Sequence, residues 1–363
     1  MNKKINVLVS NIGLPSKGIG SWTYEIDYFL RSNSVIDIVL SPSQSPSSRF
    51  IFCQKRAWTR LALVNKNYFL THQVAKDYIA KLLEIGKKGL PLNILVVDDQ
   101  VLLAAISSAK HQLPKGSKLI FYYHGHSLSL SSQTQEKTDE ILFLTKLGYE
   151  ESIRINERFT PEVKIVGNGI DSKLFYPLSK EEKQFKRKQK GLGKQDILVT
   201  WMANSRVVKG LHLFQKMIPS ILELSPNIKI LIIGNKQPIQ ESERIVQTGS
   251  LPLDQVAEYL QLSDFYFFTS LWKEGFGLSL GEAIKCGNYV LASKNGGIPE
   301  VLGNYPKARL IDHPNLISEW IDTFSEVLRD FENNLETNYG DFDFENFHSL
   351  KAWESRLIHV FES

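Results

Sequence analysis

The chain has 363 residues, 42% of them hydrophobic and 23% charged. That length suggests two domains, and that balance excludes disorder, collagen-like repeats and a disulfide scaffold. The formal charge is +4, and the two cysteines, Cys53 and Cys286, are too far apart to suggest a metal-type pair, which fits a reducing, cytoplasmic setting.

The opening Met1-Asn2-Lys3-Lys4 is followed by an apolar stretch too short for a signal peptide, so Ile5–Ser10 reads as a first strand. No apolar run of about 18 residues marks a membrane span. Further strands are expected at Val35–Leu40, Asn93–Val97, Lys118–Tyr123 and Glu140–Thr145. A second series follows at Ile197–Met202, Ile228–Ile233, Phe265–Thr269 and Tyr289–Ala292. Near-continuous apolar strands separated by helix-length amphipathic segments indicate buried parallel sheets. Two such series predict an α/β protein of two doubly wound, Rossmann-like domains facing a cleft. The join is expected near residues 165–195, with a first domain over 1–167 and a second over 168–345. A terminal amphipathic helix over 346–363 carries Phe347, Leu350, Trp353, Leu357, Val360 and Phe361 at helical spacing.

Charge is uneven along the chain. Residues 180–194 hold seven Lys/Arg and two Glu, and residues 38–76 hold no acid at all. Neither stretch carries a nucleic-acid motif, and either fits a solvated surface. In the acid-free stretch Arg49, Lys55, Arg56, Arg60 and Lys66 alternate with Phe50, Phe52, Trp58, Tyr68 and Phe69. That mixture also suits peripheral contact with anionic lipid, at the inner face of a membrane.

Ligands of open parallel sheets sit at the carboxyl ends of strands, and several motifs fall there. Gly275-Phe276-Gly277-Leu278 follows an apolar strand and opens a helix, so its N–H groups form an anion site suited to a phosphate. Glu274 precedes this turn and Glu282 follows inside the helix. Two carboxylates flanking an anion turn suit a ligand with hydroxyls at both ends and phosphates between, such as a nucleotide sugar. Asn204-Ser205-Arg206 and Lys209-Gly210, again strand into helix, place two cations where they reach a pyrophosphate. Gly18 and Gly20 follow the first strand, but the third glycine of a dinucleotide loop is absent. His124 and His126 end another strand without a third metal ligand, and each fits a structural histidine as well as a sugar contact. Read alone, every one of these loops is also compatible with a plain glycine turn bearing surface charge. Asp341-Phe342-Asp343 nominally matches a metal-binding Asp-x-Asp, but its polar setting reads as helix N-terminal chemistry. No metal site is expected.

Together the motifs resemble retaining glycosyltransferases of the GT-B fold, specifically glycosyltransferase family 4. The matching pieces run in that family's order: Gly18 to Ile26, Val166-Gly-Asn168-Gly169-Ile-Asp171, Lys209-Gly210, Thr248-Gly249, Glu274 to Ala283, Cys286-Gly287 and Gly296-Gly-Ile-Pro-Glu300. The resemblance implies that Glu282 binds ribose hydroxyls and Glu274 the donor sugar. Gly275, Phe276, Gly277 and Leu278 would hold sugar and pyrophosphate, with Lys209 neutralising the leaving diphosphate. His124 would contact the transferred sugar. The family's usual arginine position is Asn204 here, and Arg206 is the expected substitute. The implied enzyme is a metal-independent hexosyltransferase without a cofactor. It would take a nucleotide-sugar donor, UDP-linked by preference, and a glycan or lipid-linked acceptor. Rival readings are a nucleotide-sugar 2-epimerase, disfavoured for want of an acid in the first domain, and a non-catalytic sugar-nucleotide-binding protein. A nicotinamide dehydrogenase is set aside because Leu40-Ser41-Pro42 offers no acid after the second strand.

Overall fold

A computed structural model describes residues 4–14, 22–45, 47–54, 73–239, 242–333, 339 and 341–362. Gly18 and Gly20 lie outside the described residues, as do Lys55, Arg56, Trp58, Arg60, Lys66, Tyr68 and Phe69. The chain divides into two units, one comprising Met1–Asn168 with Trp353–Ser363, the other Gly169–Ala352.

Unit 1 runs β1 (Ile5–Ser10), α1 (Trp22–Ser32), β2 (Ile38–Ser41), β3 (Phe50–Phe52), α2 (Lys76–Gly86), β4 (Leu92–Val97), α3 (Gln100–Ala109), β5 (Lys118–Tyr122), α4 (Ser132–Lys137), β6 (Glu140–Phe143), α5 (Lys146–Ile155) and β7 (Glu162–Ile165). Its strands form one parallel sheet in the order β3-β2-β1-β4-β5-β6-β7. Unit 2 runs α6 (Lys180–Gln189), β8 (Ile197–Met202), α7 (Leu211–Leu224), β9 (Ile228–Ile233), β10 (Ile245–Gly249), α8 (Leu253–Leu262), β11 (Phe265–Phe268), α9 (Leu278–Lys285), β12 (Tyr289–Ser293), α10 (Ile298–Leu302), β13 (Ala308–Ile311) and α11 (Ile317–Glu332). Its parallel order is β10-β9-β8-β11-β12-β13. The last helix is α12 (Leu350–Glu362). Both units are doubly wound, Rossmann-like sheets, and the fold is GT-B.

The central strands are the continuous apolar runs. In β4, Ile94, Leu95, Val96 and Val97 have no exposure, and in β11 Phe265, Tyr266 and Phe267 have none. Such strands are apolar on both faces because helices cover both. The strands that the sequence did not announce are β3, β7, β10 and β13, the edges of the two sheets. An edge strand has one partner and needs no unbroken apolar run; Glu162-Val-Lys-Ile of β7 is accordingly half-exposed.

From Trp353 onward α12 belongs to unit 1. Trp353 and Leu357 are fully buried, and the Trp353 Nε1–H donates to the Tyr122 hydroxyl at 2.8 Å. Tyr122 in turn donates to the Gly167 carbonyl. The expected helix start is corrected: residues 344–348 form turns, ahead of which the Asp343 carboxylate accepts from the Asn346 N–H at 3.0 Å. Asp343 thus caps a turn ahead of α12 rather than the helix itself.

The basic stretch is helix α6, closed at its start by a reciprocal Ser179–Glu182 capping box. Two of its cations are tied into unit 2, Lys183 and Arg187 both reaching buried Asp264, at 2.9 and 3.1 Å, while Lys180, Lys188 and Lys194 are exposed. Arg49, expected at a lipid-facing surface, instead donates to the carbonyls of Leu30 at 2.6 Å and Ile36 at 2.9 Å. Its role is to tie α1 to the strand that follows. Among the described residues no helix is long and apolar enough to cross a membrane.

Candidate functional site

The strand order of unit 2 reverses between β8 and β11. At such a switch point the loops leaving the two strands diverge and open a crevice at their carboxyl ends. The two loops are laced together. The Leu271 N–H donates to the Val208 carbonyl at 2.8 Å, and Thr269 Oγ1 donates to the Lys209 carbonyl at 3.0 Å. Thr269 itself accepts the indole N–H of buried Trp201 at 2.9 Å.

The lacing leaves no room at Gly210. Its φ is 75°, and an added Cβ would lie 2.0 Å from the Thr269 carbonyl oxygen. Gly210→Ala should therefore cost about 1–3 kcal/mol from the left-handed backbone alone, with the collision added. A urea titration checks this, and an unchanged midpoint would show that the two loops are not pinned as described.

Pinning places Lys209 Nζ 2.6 Å from Glu274 Oε1, so two residues 65 positions apart form one ion pair. Glu274 is buried and also accepts from the Ser270 hydroxyl. The loop after β12 clamps it from behind: the Gly297 N–H donates to the Glu274 carbonyl at 2.8 Å, and Asn295 Nδ2 to the Ser270 carbonyl at 3.0 Å. Ser270 and Asn295 were not singled out in the sequence. Each stands two residues past the end of an apolar strand, which is the signal that could have found them.

Gly277, with φ 79°, precedes the first residue of α9, and no side chain caps that helix end. Its backbone is the expected anion turn. The Phe276 side chain is 2% exposed and packs edge-on against the His348 ring at 4.9 Å. Phe276 can therefore offer a ligand its backbone only. Arg206 and Asn204 are exposed on the β8 loop, where the Asn204 amide oxygen accepts from the Arg206 N–H at 3.1 Å.

Glu282 projects from α9, and among the described residues no hydrogen bond reaches its carboxyl. It keeps some exposure at the surface, yet the protein around the carboxyl withholds enough water to push its pKa up to about 7. The sign follows directly. A carboxyl raised from 4.5 in the unfolded chain favours the fold below that pH, and the benefit is lost as pH rises through about 7. Glu282→Gln should therefore melt at the same temperature as the parent near pH 4.5 and higher than it at pH 8. Equal melting at both pH values would mean that the carboxyl is well solvated. The helix is anchored at its other end by Lys285, fully buried, whose Nζ donates to Ser172 Oγ at 2.8 Å and the Phe344 carbonyl at 2.7 Å. Burial lowers the Lys285 pKa to about 8.

In unit 1, His124 lies between the rings of Tyr122 and Trp22, with centroids 4.2 and 5.2 Å away. Both its ring nitrogens are buried without a hydrogen-bond partner among the described residues, and burial lowers its pKa to about 3. The ring is neutral and cannot act as a cation. Asp98 follows β4 and accepts the His124 backbone N–H at 3.0 Å. Partial desolvation of this otherwise exposed side chain, opposed by that hydrogen bond and assisted by Asp99, raises it to about 6.

Residues 182–340 match the family described as "Glycosyl transferases group 1". The chain is 28% identical over 166 residues to the phosphatidylinositol N-acetylglucosaminyltransferase gpi3 subunit of Schizosaccharomyces pombe, covering 43% of this chain and 36% of that protein. It is 26% identical over 238 residues to a GDP-mannose-dependent monoacylated alpha-(1-6)-phosphatidylinositol monomannoside mannosyltransferase of Corynebacterium glutamicum, covering 59% and 61%. The chain thus spans less than two thirds of the length of these curated relatives. Among solved structures, sucrose-phosphate synthase from Thermosynechococcus elongatus superposes with a TM-score of 0.74 at 16% identity, covering 99% of this chain and 98% of that one. That likeness establishes the fold.

Proposed function

We propose that this chain is a glycosyltransferase that moves a hexose-type sugar from a nucleotide donor to a hydroxyl of a glycan or lipid-linked acceptor, with retention at the anomeric carbon. The observation that carries the proposal is the Lys209–Glu274 ion pair at the β8/β11 switch point, 2.6 Å long and beside the Gly277 helix end.

A sugar diphosphate answers each half of that arrangement. Its phosphate oxygens take the lysine and the helix N–H groups, and its sugar hydroxyls donate to Glu274, so neither charge is left unpaired. The unpartnered carboxyl of Glu282, one and a half turns into α9, is then placed for the ribose hydroxyls. When the anomeric C–O bond breaks, negative charge grows on the diphosphate. Lys209, Arg206 and the helix dipole meet that charge already oriented, which is how preorganised groups lower a barrier. On this reading no metal is required. Uridine is the preferred base, and unit 1 carries the acceptor. The names of the two curated relatives, both transferring a sugar to an inositol lipid, support a lipid-linked acceptor.

Melting curves recorded with UDP-, GDP- and ADP-sugars test the reading, because a ligand at 100 times its Kd adds about 2.7 kcal/mol to apparent stability. One base series should raise the melting temperature, and Glu282→Gln should weaken that rise. A flat response to all three would contradict the donor site.

A further inference from the structure

Helix α9 begins at the anion turn and carries Glu282, and it rests on two distant segments of unit 2. Residues 170–172 and 344–350 lie side by side there. The Ile170 N–H donates to the His348 carbonyl at 2.8 Å, and the Leu350 N–H to the Ile170 carbonyl at 3.0 Å. The Ser172 hydroxyl donates to the Glu345 carbonyl at 2.8 Å. Gly281 meets this bed so closely that an added Cβ would lie 2.4 Å from Ile170 Cδ1. Lys285, four residues on and so on the same face of the helix, reaches into it.

Lys285 is fully buried. Its Nζ donates to Ser172 Oγ at 2.8 Å and to the carbonyls of Phe344 and Glu345 at 2.7 and 3.3 Å, one acceptor for each N–H. All three acceptors are uncharged. Burying an ammonium against neutral oxygens is a poor source of stability, because an apolar side chain fills the same space without the desolvation cost. What the lysine supplies is direction: three bonds from one atom to two chain segments fix where that end of α9 lies. Glu282 stands three residues earlier, nearly one turn back. Among the described residues no hydrogen bond holds its carboxyl, so the seat of the helix alone sets its position.

We propose that Lys285 is a positioning residue for the donor: by clipping α9 to Ser172 and to residues 344–345 it places the Glu282 carboxyl for the hydroxyls of the donor's ribose. The proposal rests on the transfer reading above and concerns unit 2 alone. The buried lysine itself meets no ligand.

Lys285→Met, which keeps an unbranched stem, is compared with the parent, Glu282→Gln and the double variant. Binding of UDP-glucose, UDP-N-acetylglucosamine and GDP-mannose is measured by calorimetry, and stability by urea titration. Lys285→Met should weaken binding of the donor by about tenfold or more, the loss expected when a hydrogen bond to a charged group is misplaced. Its urea midpoint should stay close to the parent's, because the carbonyls left behind belong to half-exposed Phe344 and exposed Glu345, which water reaches. In the Glu282→Gln background the same substitution should weaken binding by no more than about twofold, since the carboxyl it serves is already gone. Ser172→Ala removes one acceptor and leaves the lysine. It should shift affinity in the same direction by a smaller factor, and it carries the same test if Lys285→Met does not fold. Parent-like donor affinity in Lys285→Met would overturn the role, whatever its midpoint, as would losses that multiply in the double variant. A parent chain that binds none of the three nucleotides removes the donor site and this role with it. Donor binding that depends on Glu282 but not on Lys285 removes this role alone.

Discussion

Lys209→Ala is expected to lower turnover of the sugar nucleotide by about a hundred- to a thousandfold, the usual cost of losing one preorganised group that stabilises developing charge. Donor affinity should fall much less, because the charge on the leaving diphosphate grows between ground and transition states. The ion pair adds a second consequence. Removing the lysine leaves Glu274 buried, held by the Ser270 hydroxyl and the backbone around it but without its cation. Part of the loss is then misplacement of Glu274, and Lys209→Arg should recover some of it by restoring the pair. Steady-state kinetics on the donor separate the two effects. If Lys209→Ala kept the parent's kcat and raised only KM, the lysine would be a binding residue and the charge argument would fail.

Deleting Trp353–Ser363 should have the largest effect on the fold. That segment belongs to unit 1 and buries Trp353, Leu357 and Val360. Truncating a buried tryptophan alone costs about 3–5 kcal/mol, against a total stability of about 5–15 kcal/mol for a domain. Loss of Trp353 also deprives the buried Tyr122 hydroxyl of its indole donor, and loss of Arg356 removes the guanidinium that donates to the Val166 carbonyl at 2.7 Å. The truncated chain should unfold without a cooperative transition for unit 1 and bind a hydrophobic dye. Trp353→Phe, which keeps a ring and loses the hydrogen bond, should shift the transition modestly and leave it cooperative. A truncated chain melting like the parent would show that the segment is dispensable.

The buried centre of each sheet was legible because its physics is local. A strand covered on both faces must be apolar at nearly every position, as Ile94 to Val97 and Phe265 to Phe268 are, and such a run stands out in one sequence. The edges were not legible, because β3, β7, β10 and β13 satisfy only one neighbour and carry mixed residues. The donor loops were legible as glycine and charge at strand ends, but their pairing was not. Nothing in the spacing of Lys209 and Glu274 announces that they touch; that follows from β8 and β11 being neighbours. The side-chain direction of Arg49 was misjudged for the same reason. Sequence pattern places a residue on a loop and leaves unsaid which way its side chain turns.

The central claim is that the β8/β11 crevice holds a sugar nucleotide and that Lys209 and Glu274 act on it as a pair. The direct measurement is release of nucleoside diphosphate from radiolabelled UDP-, GDP- and ADP-sugars in the presence of EDTA. It is made on the parent chain, Lys209→Ala, Glu274→Gln and the double variant. Coupled residues give a double variant little worse than the worse single one. The account predicts diphosphate release by the parent, and a loss in the double variant far smaller than the product of the two single losses. Strictly multiplicative losses, or a parent chain that releases no diphosphate from any donor, would contradict it.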